Sequence, residues 1–284
     1  MNDLFFSENI ELNLILIREV FNVKKGIFSK VLFIALGAIM MLSLGACASN
    51  EKEKSKDSKE VVVGLDNTFV PMGFLDEQNE LIGFDIDLAK EAFKRAGYEP
   101  QFENIDWSMK EQSLNNGTVD CLWNGYSITD ERRKKVAFSK PYLDNKQIAI
   151  TMAEEPFKNI EDLKNQVVGT QAASSALEAI EKDKEFLANI KNKEPITYDT
   201  YDKALRDLEI GRTQAVIGDE VLLKYYIKQR NPEKYKVLEG DLGTEKYAVG
   251  FRVDDIKLRE AIDKALDEIK EDGTFQQLEE KWFQ

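Results

Sequence analysis

Histidine does not occur anywhere in the 284 residues. Its absence removes His-based catalytic triads, imidazole proton shuttles and the usual imidazole zinc sites together. Cysteine is almost as scarce. Cys47 and Cys121 stand far apart in unlike contexts, so no metal-ligand spacing exists, and no metal or other cofactor is expected. A basic excess is also missing: 39 Lys and Arg against 52 Asp and Glu leave a formal net charge of −13, which argues against a nucleic-acid partner. The apolar run VLFIALGAIMMLSL (31–44) is short for a membrane-spanning helix, which needs about 20 such residues. No Gly- or Pro-rich linker divides the chain, and no short-period repeat is present.

The apolar run reads as an address. Lys24, Lys25 and Lys30 precede it and LGAC (44–47) follows, giving a basic region, an apolar stretch and small residues before a cut, as in an exported precursor. LGAC resembles the bacterial lipobox, whose cysteine becomes the lipidated first residue of the mature protein. Acyl chains such as palmitate on Cys47 would hold the chain at a membrane, each buried methylene adding about 0.8 kcal/mol. An uncleaved anchor is the ordinary alternative. Residues 1–22 lack the basic start of a signal peptide and suggest a misassigned start, with the true one near Val23 or Lys24. ASNEKEKSKDSKE (48–60) has no apolar residue beyond Ala48 and reads as a flexible tether. In 1–46, Asp3, Glu8, Glu11 and Glu19 cancel Arg18, Lys24, Lys25 and Lys30, so the acidic excess stays with the remainder.

From Val61 onward short apolar runs alternate with helical patterns. VVVGL (61–65), QFENI (101–105) and VDCLW (119–123) predict strands; FDIDLAKEAFKRAG (84–97) and SMKEQSLNNG (108–117) predict helices, the second opened by a capping box from Ser108 to Glu111. QIAITM (147–152), QVVGT (166–170), AVIG (215–218) and KYAVGF (246–251) read as further strands, and 174–191, 256–273 and a last segment to Trp282 as helices. This β-α-β succession implies parallel sheets covered by helices, and at this length two α/β lobes.

Ligands in open parallel sheets sit beyond the carboxyl ends of the strands. Those ends here deliver Asp66, Trp107, NGYS (124–127), QAASS (171–175) and Asp219. WNGYSITDERR (123–133) adds an anomaly. Thr129 suits a helix N-cap and Asp130 and Glu131 suit the first turn, but Arg132 at the third position opposes the helix dipole. A negative partner is expected for it. Aromatics, hydroxyls, exposed amides, two Asp and one Arg are a chemistry for holding a zwitterion.

With these stretches in view, residues 61–283 resemble the bacterial extracellular solute-binding proteins of family 3, the amino-acid type that serves ABC importers. The resemblance rests on GLDNTFVPMGF (64–74), LIGFDIDLAK (81–90), NGYSITDERRKKVAFSKPY (124–142), EDLKNQVVGTQAASS (161–175), QAVIGDE (214–220) and EDGTFQQLEEKWF (271–283), in this order. It implies a type II periplasmic-binding-protein fold, two α/β lobes joined by two crossing strands. Lobe one would be 61–146 plus 247–284 and lobe two 147–246. It implies that Arg132 clamps an α-carboxylate with amides near Ser127, Ser174 and Ser175. Asp219 would receive the α-ammonium with the Gly125 carbonyl and the Ser127 hydroxyl. Phe69 and Trp107 would sandwich the ligand side chain, and Asp66 and Gln171 would reach its distal end. Asn124, Tyr126, Gln171 and Gly218 depart from residues often found in relatives and bear on side-chain specificity.

Each residue has a plainer role beside this one. Arg132 could pair with Asp130 or Glu131 on a solvated helix, and Asp219 could merely cap the helix from Glu220. Phe69 and Trp107 could be core aromatics, Asp66 could order its own loop, and Cys121 reads as a buried apolar thiol. The resulting expectation is a monomeric, lipid-anchored, extracytoplasmic binding protein without catalytic residues. It would deliver a polar amino acid, neutral or basic rather than acidic, to an ABC permease and its ATPase. A cyclohexadienyl dehydratase-like enzyme on the same scaffold and a ligand-sensing module are the alternatives.

Overall fold

The computed structural model describes residues 59–283. The expected leader (1–46), the lipidation site Cys47 and the tether up to residue 58 lie outside that range. The first strand, Lys59–Leu65, begins two residues inside the expected tether, with Lys59 and Glu60 opposite Tyr98 and Glu99.

Two sheets organise the described residues. The first has the order Tyr98–Asn104, Lys59–Leu65, Cys121–Leu122, Gly250–Phe251, Ala137–Phe138. Lys59–Leu65 runs parallel to both neighbours, and Gly250–Phe251 antiparallel to both of its own. The second has the order Ile196–Tyr198, Val168–Gln171, Ala215–Asp219, Leu143–Met152, Tyr235–Val237, of which the first three are mutually parallel. Ala215–Asp219 is buried along its whole length, so its sequence lacks the alternation of a half-exposed strand. A small antiparallel ribbon, Thr68–Phe69, Gly73–Leu75 and Leu81–Ile82, follows the first strand.

The chain passes to the second sheet along Leu143–Met152 and returns along Thr244–Tyr247, and these two segments pair antiparallel from Leu143 opposite Tyr247 to Lys146 opposite Thr244. KYAVGF therefore does not form one strand. Its start belongs to the crossing pair and its end, Gly250–Phe251, to the first sheet.

Helix Phe84–Ala96 ends as its sequence predicts, with Gly97 left-handed at φ 77° and its N–H returned to the carbonyls of Phe93 and Lys94. SMKEQSLNNG differs from its expected capping box. Asp106 accepts the N–H (2.9 Å) and the hydroxyl (2.7 Å) of Ser108, capping a 3₁₀ turn at Trp107–Met109 ahead of helix Lys110–Asn115. Ser108 is thus a donor where the box required an acceptor. The helix expected at 174–191 is broken at Asp183, whose carboxylate accepts from the Phe186 N–H and starts a second helix, Lys184–Asn189, after Ser175–Lys182. Tyr201–Glu209 and Glu220–Arg230 complete the cover of the second sheet. Cys121 is a fully buried free thiol, as read from its strand position.

One buried acid ties helix Phe84–Ala96 to the loop beyond the central strand of the first sheet. Asp85 Oδ2 accepts the Gly125 N–H at 2.6 Å and the Tyr142 hydroxyl at 2.9 Å. Burial outweighs both bonds and pushes its carboxyl from an ordinary 3.8 up to about 7. The folded state therefore binds this proton more tightly than the unfolded chain. The stability this contributes is complete below pH 3.8 and lost as pH rises through about 7, a span on the order of 4 kcal/mol. Asp85→Asn retains an acceptor for Gly125 and Tyr142 but cannot ionise. Denaturant unfolding between about pH 4 and about pH 7 is expected to show a flatter fall in stability for the variant; equal slopes would place the titrating group elsewhere.

Candidate functional site

The carboxyl ends of four strands converge. Lys59–Leu65 delivers Asp66, Cys121–Leu122 delivers Asn124 to Ser127, Val168–Gln171 leads into Ser174 and Ser175, and Ala215–Asp219 ends on Asp219. Asp66, Asn124, Ser127, Arg132, Gln171, Ser174, Ser175 and Asp219 are all buried. The two sheets meet through them: Gln171 Nε2 donates to Asp66 Oδ2 at 2.8 Å, and the Ser127 and Ser175 hydroxyls lie 3.1 Å apart.

Thr129 caps the short turn Asp130–Arg133 as its sequence predicts, its hydroxyl accepting the Arg132 N–H at 3.1 Å. The Arg132 side chain does not join its helical neighbours. Only 2% of it is exposed; Nη1 donates to the Ser127 carbonyl at 3.0 Å and Nη2 to the Ala173 carbonyl at 3.4 Å. The guanidinium lies 4.6 Å from the centre of the Tyr126 ring. Its Nε is 3.2 Å from Glu178 Oε1, without the alignment of a hydrogen bond. Glu178, from helix Ser175–Lys182 on the second sheet, is thus the negative partner, while Glu131 pairs with Lys134.

Gly125 is dictated by its surroundings. Its φ is 55°, and a Cβ there would stand 2.8 Å from the Phe69 ring and 3.2 Å from that of Tyr247. Phe69 faces Tyr201 of the second sheet's cover, ring centres 6.1 Å apart. Trp107 turns another way: it packs edge-on to Tyr126 at 5.8 Å, in a small core with Leu114, Val119, Leu122 and Val136. Gly218 leaves room for Tyr201, whose ring carbon would be 2.5 Å from a Cβ on that strand.

Asp66 orders its own loop and also reaches across to the second sheet. Oδ1 accepts the N–H and hydroxyl of Thr68 at 2.9 and 2.7 Å, ordering its own loop, and Oδ2 faces Gln171. Asp219 heads helix Glu220–Arg230 but its side chain makes no cap bond. Oδ1 instead accepts from Asn145 Nδ2 at 2.6 Å, Tyr247 at 2.8 Å and Gln147 Nε2 at 3.1 Å. Burial, followed by the neighbouring Glu245 carboxyl, holds the Asp219 carboxyl well above the usual range. Ser174 caps the next helix, accepting the Leu177 N–H and donating to the Gln171 carbonyl.

Glu178, Asn145, Gln147 and Tyr247 were not read from sequence as site residues, and neither were three further contributors. Glu245 reaches into the cluster from Thr244–Tyr247, where strand alternation puts it on the same side as Tyr247. The apolar pattern of KYAVGF places the strand start at Lys246, two residues after its actual start at Thr244, and so leaves Glu245 outside. Lys110, buried, crosses between the sheets to the Ala173 carbonyl at 2.9 Å, and burial, then Arg132, push its ammonium down to about 8. Asp85 positions Gly125 from beneath. A groove of about 910 Å³ borders the cluster through Gln147, Ser175 and Glu245, while Arg132, Asp219, Phe69 and Asp66 lie outside its lining.

Two crossing segments, one bearing Asn145 and Gln147 and the other Glu245 and Tyr247, lie beside a buried guanidinium and a buried carboxyl. A family model described as bacterial extracellular solute-binding proteins, family 3, matches residues 61–284. The chain is 31% identical to the probable amino-acid-binding protein YxeM of Bacillus subtilis over 252 residues, 87% of this chain and 92% of that one. It is 30% identical to ABC transporter arginine-binding protein 1 of Escherichia coli over 230 residues, 80% of this chain and 91% of that one. Among solved structures, an ABC uptake transporter substrate-binding protein from Streptococcus pneumoniae with bound histidine superposes with a TM-score of 0.77 at 39% identity, covering 79% of this chain and 92% of that one. The fold is accordingly the two-lobed α/β type expected from the sequence. The chain belongs to the bacterial extracellular solute-binding proteins, family 3.

Proposed function

We propose that this protein binds a single amino acid between its two halves and delivers it to an ABC import permease and its ATPase. The observation that carries this reading is the pair of buried, oppositely charged residues, Arg132 and Asp219, set on different sheets and linked through Ser127, Ser175 and Gln147. A zwitterion has a carboxylate for one and an ammonium for the other. A guanidinium fork suits a carboxylate bidentately, in a way a lysine does not. In this reading the ligand α-carboxylate takes over from Glu178 at Arg132, assisted by N–H groups near Ser127, Ser174 and Ser175. The α-ammonium meets Asp219, the Gly125 carbonyl and the Ser127 hydroxyl. Phe69 flanks the side chain, and Asp66 and Gln171 meet its far end. The halves that close are 61–146 with 247–284, and 147–246.

Ligand class follows from charge. Asp66, Asp219 and Glu245 all face the cluster, and an acidic side chain beside Asp66 would be repelled. A neutral polar or basic amino acid such as glutamine, arginine, lysine or cystine is preferred over glutamate and aspartate. The names of the arginine-binding relative and the histidine-bound structure support that choice. An enzyme on this scaffold is the second reading, because the paired carboxyls Asp219 and Glu245 resemble an acid–base pair; turnover of prephenate or arogenate by the purified chain would establish it.

The test is a thermal shift of the refolded protein across the twenty amino acids and cystine. A ligand at 100 times its dissociation constant should add about 2.7 kcal/mol, and glutamate giving the largest shift would overturn the ligand class. Arg132→Lys should weaken every amino-acid ligand by about 2–5 kcal/mol; unchanged affinity in calorimetry would mean that the clamp is misplaced.

The anchor is a separate proposal: a lipid on Cys47 holds the chain at the extracytoplasmic face of the membrane. Among the described residues no helix is long and apolar enough to cross a membrane. Cys47→Ser is expected to release the protein from the membrane fraction with its ligand binding intact. Retention equal to that of the wild type would favour an uncleaved anchor.

A further inference from the structure

Two carboxyls stand side by side where the crossing strands meet the site. Glu245 Oε1 accepts from Ser127 Oγ at 2.6 Å, Asn145 Nδ2 at 2.7 Å, Gln147 Nε2 at 2.7 Å and Ser175 Oγ at 3.2 Å. Asp219 Oδ1 accepts from the same two amide groups, at 2.6 and 3.1 Å. Shared donors place these oxygens close together, in a setting where Asp219 is 2% exposed. Two anions there repel each other, and one proton held between them removes the conflict.

Among the described residues, the surrounding groups offer no cation to replace that proton. Arg132 is engaged with Ser127, Ala173 and Glu178, and Lys110 with Trp107, Ala173 and Glu111. On the crossing strands Lys146 faces Glu220 and Lys246 faces Asp144. Tyr247 and Tyr201 bring phenols that burial keeps neutral. In the adjoining groove Asp130, Glu131, Glu178, Glu181 and Asp183 outnumber Lys182 and Lys184. The buried amide oxygens Asn145 Oδ1 and Gln147 Oε1 have no donor among the described residues. The cluster is therefore rich in acceptors and short of N–H groups.

We propose that Asp219 and Glu245 together form a proton-exchanging cation site, in which the ligand's ammonium displaces the proton that the two carboxyls share. The proposal rests on the reading of Asp219 as the ammonium acceptor. The carboxyl O–H bond breaks, its proton passes to solvent, and N–H donors of the ammonium take its place between the two oxygens. The pair with its proton carries one negative charge, and so does the ionised pair with a bound ammonium. Binding thus buries a cation without changing the net charge of the cluster, which limits the desolvation penalty. Glu245 also lines the open groove, giving the proton a route out. Affinity rises with pH through the upper titration of the pair and is lost as pH falls through it, by up to about tenfold per pH unit when one proton is released.

The experiment is calorimetric titration of the full-length protein in detergent with L-arginine and, separately, L-glutamine, in buffers of different ionisation enthalpy near pH 6. Wild type is expected to release a substantial fraction of one proton with either ligand. Glu245→Gln is expected to release markedly less and to show a flatter dependence of affinity on pH. Equal release and equal slope in the variant would overturn the proposal, as would the absence of release from wild type at every pH at which the protein stays folded. Carboxyl-carbon NMR of the ligand-free wild type gives a reading that needs neither variant nor ligand. Two widely separated midpoints for Asp219 and Glu245 support the shared proton, and joint ionisation in the ordinary carboxylate range overturns it. If wild type binds no amino acid while the split titration is present, the transport reading fails and the shared proton stands.

Discussion

Arg132 is permanently charged and almost wholly enclosed, and its position governs much of what surrounds it. A guanidinium removed from water requires acceptors in its own plane and a negative group nearby, since an isolated buried charge costs far more than a fold of this size has to spare. The acceptors come from both sheets: the Ser127 carbonyl from one side, the Ala173 carbonyl and the Glu178 carboxylate from the other. Satisfying Arg132 therefore holds the two halves together. Tyr126 adds its ring face, and its hydroxyl is fixed in turn by Glu111 at 3.0 Å. The loops that hold these carbonyls are shaped to match. Ala173 takes a left-handed φ of 53° and its carbonyl accepts from Arg132 and Lys110, while Gly125, at 55°, has its N–H held by Asp85.

The part of this arrangement legible in sequence was the part that breaks a local rule. Arg132 at the third position of a helical turn contradicts the dipole, and that contradiction pointed to a partner outside the helix. Asp219 could be located because it ends the apolar run AVIG, and Asp66 because it follows the apolar run VVVGL. Strand ends are encoded locally, by where a hydrophobic run stops, and the sheet then carries them to one edge. The helix at Phe84 was equally plain, since its periodicity and its terminal glycine are both local signals.

What sequence reading missed depends on contacts made far along the chain. Lys110 lies in a short helix with an ordinary polar pattern, and only the approach of Ala173, 63 residues away, makes it a buried cation. Asp85 occupies the first turn of its helix, where an acid is commonplace, yet its partner is Gly125, 40 residues on. The broken helix at Asp183 has the opposite origin. A side-chain cap competed locally with continuation of the helix, and periodicity alone gives no weight to that competition. Trp107 is a case of divided evidence: its loop position suggested a ligand-facing ring, whereas its contacts are those of a core residue against Tyr126.

The crossing strands link the site to the joint between the halves. Asn145 and Gln147 lie on one of them and Glu245 and Tyr247 on the other, and all four contact Asp219 or the hydroxyls beside it. In a protein whose halves move about these strands, groups that meet the ligand's ammonium and groups that set the angle of closure would be the same few residues. A cation placed between Asp219 and Glu245 removes repulsion at that joint and supplies donors to amide oxygens that have none. Charge at the site and geometry at the joint are then coupled directly, without a chain of intermediates. Such coupling requires that the ligand favour one arrangement of the halves over the other, because a ligand that binds both arrangements equally shifts neither. Glu245 comes from the crossing segment Thr244–Tyr247 and Asp219 from the second-sheet strand Ala215–Asp219, both paired with Leu143–Met152, and the repulsion between the two carboxyls depends on how closely they approach.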